Sequence, residues 1–158
     1  MPNLDWSKLN NLQLGEYAEY YAKMEFASYG YYVYSSEVDD HGVDFVAKTK
    51  DGHFLEVQVK SSRKTNYVFI AKDKIVIDDH HLVCFLRFTD GEPPQMFIIP
   101  ATAWLKPNEV LVSHDYEKPG QSGKPEWGIN WSKKNAHLLD VYKAENFFAR
   151  KQLMREEG

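Results

Sequence analysis

Apolar positions along the chain switch between two periods, and the switches mark its elements. Gly15, Ala18, Ala22 and Phe26 recur at helical spacing. They predict a helix over residues 10–29 whose small side chains let it lie close on a sheet. Asn10 or Asn11 supplies a cap at its start, and Gly30 a stop signal after its end. From residue 31 the period falls to two. "YYVYSS" (31–36), "VDFVAKT" (43–49) and "HFLEVQVKSS" (53–62) predict strands, the last two joined as a hairpin by the Asp-Gly turn in "KDGH".

Further strands are expected at "YVFIA" (67–71), "LVCFLRF" (82–88) and "QMFIIP" (95–100), with "TDGEPP" closing a second hairpin. "ATAWLK" predicts one or two helical turns and "EVLVS" (109–113) a short strand. The breakers Pro119, Gly120, Gly123, Pro125 and Gly128 predict a loop over residues 114–130. Leu138, Leu139, Tyr142 and Phe148 predict a helix from Ser132 to about Leu153. The expected architecture is α+β, a single domain over residues 1–158. Its core is a central mixed, mainly antiparallel β-sheet flanked by helices.

Composition narrows the class without naming it. At 43% apolar and 27% charged residues, a chain of this length is an ordinary soluble one with enough material for a sizeable core. No apolar run approaches the roughly 20 residues that span a bilayer, and "MPNLDWSKLNNLQ" has neither the basic start nor the apolar centre of a secretory signal. The single cysteine, Cys84, excludes an intramolecular disulfide and suggests a reducing, cytoplasmic setting. A net charge of −4 argues against a protein that coats nucleic acid non-specifically. The charge is uneven, however. Residues 1–56 hold ten acidic side chains against four basic ones, whereas residues 60–74 hold Lys60, Arg63, Lys64, Lys72 and Lys74 against Asp73 alone.

That asymmetry gives meaning to the hairpin. Glu56, Gln58 and Lys60 share one strand face, and the turn at residues 50–53 brings Asp44 within reach of Gln58 and Lys60. On the helix, Glu19 lies roughly 55° from the centre of the small-residue face and Glu16 roughly 115°, so Glu19 can stand at the rim where helix meets sheet. Asp44, Gln58 and Glu19 would offer the hard oxygen ligands that suit Mg²⁺ or Mn²⁺. Such an ion polarises a phosphodiester, and Lys60 would orient water or offset transition-state charge. Glu56, about 6.6 Å along the strand from Gln58, is an accessory candidate. So are His41, beside the site, and Ser62, which could bond a phosphate or merely end the strand. Arg63, Lys64, Lys72 and Lys74 are the candidate nucleic-acid contacts.

In "GEYAE", "GVD" and "QVK" the sequence resembles the PD-(D/E)XK nuclease superfamily, whose core runs helix, three strands, helix, strand. The similarity spans residues 15–62 and is greatest to the Mrr-like and related branches, in which glutamine stands at the usual acidic position. The resemblance implies a metal-dependent endonuclease acting on DNA in restriction, defence or repair. Asp44 and Gln58 would be metal ligands, Lys60 the catalytic lysine and Glu19 the helix carboxylate. It also implies a crossover helix between Lys60 and Leu82, for which "DKIVIDDHH" is the available stretch. A homodimer is expected if both strands are cut. The alternatives are RNA as substrate, or the same fold kept as a non-catalytic binding or interaction module, which the acidic net charge and Gln58 both favour.

Other polar groups carry weaker claims. Cys84 lies in the most apolar strand and reads as a buried, inert thiol. His80 and His81 are adjacent, without the second ligand pair that zinc needs. Most of the 10 tyrosines are expected to pack helix against sheet, and a few to stack on bases.

Overall fold

The computed structural model describes residues 1–37 and 42–157, with side chains through Gln152; the candidate His41 falls outside the described residues. Helix α1 (Asn11–Ser28) starts where the sequence places it. The Asn10 side chain accepts from Gln13 N and the Gln13 side chain accepts from Asn10 N, a reciprocal capping box. Gly30, at φ +89°, turns the chain out of the helix. Leu14, Ala18, Ala22 and Phe26 are the buried face.

The strands are β1 (Tyr32–Ser35), β2 (Phe45–Lys48), β3 (Phe54–Ser62), β4 (Tyr67–Ala71), β5 (His81–Arg87), β6 (Gln95–Pro100), β7 (Leu111–His114) and β8 (Glu126–Asn130). Five form a mixed sheet in the order β1-β2-β3-β5-β6, and the remaining three form a second sheet in the order β4-β8-β7. Both predicted hairpins exist, β2 against β3 and β5 against β6, each antiparallel. Strands β3 and β5 pair in parallel, with Gln58 opposite Val83 and Lys60 opposite Phe85.

This sheet is covered unequally. On one face Leu55, Val57, Leu82, Cys84, Leu86 and Ile98 pack against α1 and the C-terminal helix α2 (Ala144–Glu157). On the other face Val83, Phe85, Phe97 and Ile99 pack against Ile70, Leu111 and Ile129 of the second sheet, with Trp104 and Leu139. Strand β5 is therefore buried on both sides from Leu82 to Arg87, and its unbroken apolar run "LVCFL" follows from that. Strand β3 buries apolar side chains toward the helices only.

Three expectations need correction. Residues 114–130 are not all loop, since Glu126–Asn130 is the central strand of the second sheet. Gly128, counted as a breaker, serves packing there: a Cβ would lie 2.5 Å from Cε2 of Tyr67, whose ring occupies the space. The C-terminal helix is not continuous from Ser132. A 3-10 helix (Ala136–Tyr142) ends at Lys143, whose extended backbone bridges to Phe97 of β6, and α2 begins only at Ala144. Finally, no α-helix crosses from β3 to β5 among the described residues. The crossover is β4 followed by a single 3-10 turn, Lys72–Lys74. A strand that pairs in a second sheet does the work of the expected helix. Among the described residues no helix is long and apolar enough to cross a membrane.

Phe26 joins the helices to the sheet. Its ring centroid lies 5.2 Å from Tyr31, 5.6 Å from Phe45, 6.1 Å from Phe147 and 5.1 Å from Phe148. Truncation to Phe26→Ala is expected to cost about 3–5 kcal/mol, read as a lowered midpoint in urea unfolding. A midpoint near that of the wild type would contradict this assignment of the core.

Candidate active site

Strand β3 outruns the strand beside it. Pairing with β2 ends at Phe45, opposite Val57, while β3 runs on to Ser62. The next β3 amide on that flank, Val59 N–H, donates to Asp44 Oδ2 at 2.7 Å, while Asp44 N–H donates to the Val57 carbonyl at 2.9 Å. The Asp44 side chain thus takes the place of a missing ladder acceptor. Continuing the register by one residue sets Asp44 beside Gln58. Its charge is felt through the sheet: the Cys84 thiol is pushed up by burial and then by the Asp44 carboxylate, which leaves it an inert core group.

Alternation along β3 turns Gln58 and Lys60 away from the helices. Gln58 Oε1 is buried and, among the described residues, accepts no hydrogen bond. Gly42 closes over it at φ +77°. A Cβ there would lie 3.1 Å from Gln58 Nε2 and 2.9 Å from the Lys74 carbonyl oxygen, so both backbone and space require glycine. Lys60 is half-buried beside it and, among the described residues, meets no carboxylate partner. Glu19 is half-buried on α1, where its Oε1 pairs with Lys23 Nζ at 2.9 Å, and it is absent from the lining of the cleft that Gln58 and Lys60 share. Lys23 in turn donates to Ser35 Oγ at 2.9 Å, and Ser35 is the pairing partner of Phe45, next to Asp44. Glu16 is exposed.

Gln58 and Lys60 open into a cleft of about 580 Å³ between the end of β3, the start of α1 and β4. Lys60, Arg63, Lys64 and Lys74 line it, together with Tyr67 and Phe69, and among the described residues no carboxylate does. In a chain of net charge −4 this is a local concentration of positive charge.

Several candidates are engaged elsewhere. Glu56 pairs with His81 Nε2, and His81 Nδ1 meets Asp78 at 2.6 Å, so Glu56 is tied to the start of β5. The hydrogen bond from His81 holds the Asp78 carboxyl below its usual range. Ser62 is buried and accepts from Arg87 Nη1 at 2.9 Å. Arg63 makes a two-pronged ion pair with Asp90, Nε to Oδ1 at 2.8 Å, which holds the Asp90 carboxyl low. Lys72 is absent from the cleft lining. Its ammonium meets Asp115 at 2.6 Å and Ser113 at 2.7 Å, over the Trp127 ring. Sequence pattern alone did not single out Tyr67 and Phe69, although their alternation in "YVFIA" puts both on one strand face.

No family model and no curated protein matches the sequence. Solved structures do match the fold. A Holliday junction resolvase from the archaeal hyperthermophile Archaeoglobus fulgidus superposes with a TM-score of 0.52 over 85% of this chain and 95% of its own, at 10% identity. A bacterial homing endonuclease superposes with a TM-score of 0.52 over 94% of this chain and 97% of its own, at 18% identity. The chain has a restriction-endonuclease-like fold. At these identities the likeness is one of architecture, and the site residues rest on the geometry above.

The role of Asp44 in the ladder has its own consequence. Asp44→Ala leaves Val59 N–H without its acceptor and is expected to destabilise the fold by about 1–3 kcal/mol. Asp44→Asn, which keeps an oxygen at that position, should lose much less. Thermal unfolding of the two variants measures the difference, and equal losses would refute the capping role.

Proposed function

We propose that the protein is a metal-dependent endonuclease acting on DNA, in restriction, defence or repair. The observation that carries the reading is the pairing of Gln58 Oε1, buried with no partner among the described residues, with Lys60, likewise unpaired, at the mouth of a basic cleft in a nuclease fold. An orphaned buried acceptor costs about 1–3 kcal/mol, and a cation placed against it removes that cost. Asp44 and Gln58 are the oxygen donors for Mg²⁺ or Mn²⁺, ions that settle for few protein ligands when waters and a substrate phosphate complete the set. When bound, the ion supplies Lewis acidity toward the scissile phosphate and lowers the pKa of water.

The chain's own residues do the rest. Lys60 offsets negative charge on the phosphate oxygens and, as a donor, orients the attacking water. Asp44 is held in place by Val59 N–H, so its carboxylate needs little reorganisation. Glu19 completes the set only by leaving Lys23. The "QVK" strand supports a place within the Mrr-like branch. A homodimer supplies the second site that double-strand cutting requires, and RNA is the competing substrate in the same assay.

Lys60→Ala and Asp44→Asn are each expected to lower Mg²⁺-dependent cleavage of plasmid DNA by about 100-fold or more, with unfolding temperatures close to wild type. Cleavage that survives both substitutions would sink the proposal. The non-catalytic module has a specific observation in its favour. Glu19 is neutralised by Lys23, and among the described residues no three His, Cys, Asp or Glu side chains form a metal-holding group. Calorimetric titration with Mn²⁺ separates the two readings. A heat of binding lost in Asp44→Asn supports the enzyme, and no heat in the wild type supports the module.

A further inference from the structure

Strand β4 is an edge strand of the second sheet and forms one wall of the basic cleft. Val68 and Ile70 pack inward, so Tyr67 and Phe69 alternate onto the opposite side. The two rings lie 6.3 Å apart with only 19° between their planes. Tyr67 is locked. Its hydroxyl donates to the buried carboxylate of Glu126, and its ring fills the space left by Gly128 in the neighbouring strand. Burial and that carboxylate push its phenol pKa up, so it stays protonated and a donor. Phe69, opposite Gly128 in register, has no side chain across from it and is 53% exposed.

A single exposed phenylalanine means little. Here one ring is fixed by a buried carboxylate and a strand-interior glycine, and it supports a second, open ring at the β4 edge of a cleft that Lys60 and Lys64 also line. Flat aromatic faces beside a basic groove are the combination that grips a single strand, because every base has a face to stack and every nucleotide a phosphate to neutralise. A duplex presents its base faces to each other, so an aromatic wall of this kind offers it nothing.

We propose that the cleft holds an unpaired DNA strand, with phosphates on Lys60 and Lys64 and base faces on Phe69 and Tyr67. The substrate of the endonuclease is then DNA with unpaired bases beside the scissile bond rather than continuous duplex. This deepens the nuclease reading and rests on it for the cutting step alone.

Binding is measured without cleavage, in EDTA, by the fluorescence anisotropy of a labelled thymidine oligonucleotide of about twelve residues, a length within the usual single-strand site size. The full-length wild type is expected to bind this single strand more tightly than a blunt duplex of equal length. Phe69→Ala should weaken single-strand binding about tenfold, with a smaller loss on duplex, and Phe69→Trp should restore it. Equal affinity for the two forms, an unaffected Phe69→Ala, or tighter binding of the matching RNA oligonucleotide would each overturn the proposal. The two readings fail separately. A protein that shows this binding pattern yet cuts no DNA in Mg²⁺ retains the strand site and loses the enzyme. One that cuts DNA while Phe69→Ala binds like wild type does the reverse.

Discussion

The site depends on a mismatch of strand lengths. Strand β3 has nine residues and β2 has four, so among the described residues the second half of β3 has no strand partner on the β2 side. An unpaired strand flank is costly when buried and adhesive when exposed. The Asp44 carboxylate answers the first orphaned amide, and in doing so it is fixed beside Gln58. One side chain therefore ends the hairpin and stands in the candidate site. The same mismatch leaves Lys60 at a strand position that, among the described residues, no neighbouring strand pairs on that flank.

The second sheet determines which part of β3 stays open. It leans on β5 and β6, burying Val83, Phe85, Phe97 and Ile99, and leaves Gln58 and Lys60 on the matching face of β3 outside that apolar core. The turn after β3 is then lashed down. Arg87 Nη1 donates to Ser62 Oγ and to the Thr65 carbonyl at 2.6 Å, and the guanidinium stacks 4.1 Å from the Trp131 ring. The Arg63–Asp90 pair holds the same turn from outside. The cations of this segment thus fall into two groups. Arg63 and Lys72 are consumed in holding structure, while Lys60 and Lys64 face the cleft. Charge counting along a sequence cannot make that division, because it depends on which carboxylates fold back within reach.

Much of the first half was legible because its signals are local. The capping box at Asn10, the Asp-Gly turn and the alternation in "EVQVK" each act over a few residues, and α1 and the β2–β3 hairpin follow from them. The second half was less legible because its signals are long-range. Gly128 looks like a breaker until the Tyr67 ring, far away in sequence, is seen to need its space. Lys143 interrupts a helical pattern because its backbone bridges to β6. Glu19 pairs with Lys23 one turn along α1, an engagement that a reading counting only carboxylates does not see. Glu56 and Ser62 share the cleft-facing parity of Gln58, but His81 and Arg87, brought alongside by the parallel pairing of β3 with β5, take both.

Glutamine at position 58 follows from the same surroundings. The side chain lies against Gly42, and Asp44 is its neighbour across the hairpin. A carboxylate there would place a second negative charge in a buried space, beside an existing carboxylate. Both disfavour the ionised form. The amide keeps the oxygen donor and omits the charge, so the pocket stays stable before any cation arrives. The cost is one unsatisfied acceptor, modest beside an unpaired buried ion. In the proposed enzyme such a site would hold its cation through Asp44 and gain affinity when a substrate phosphate completes the charge balance. Metal occupancy would then rise with nucleic acid bound, and the basic lining of the cleft would act in the same direction by drawing the phosphate in.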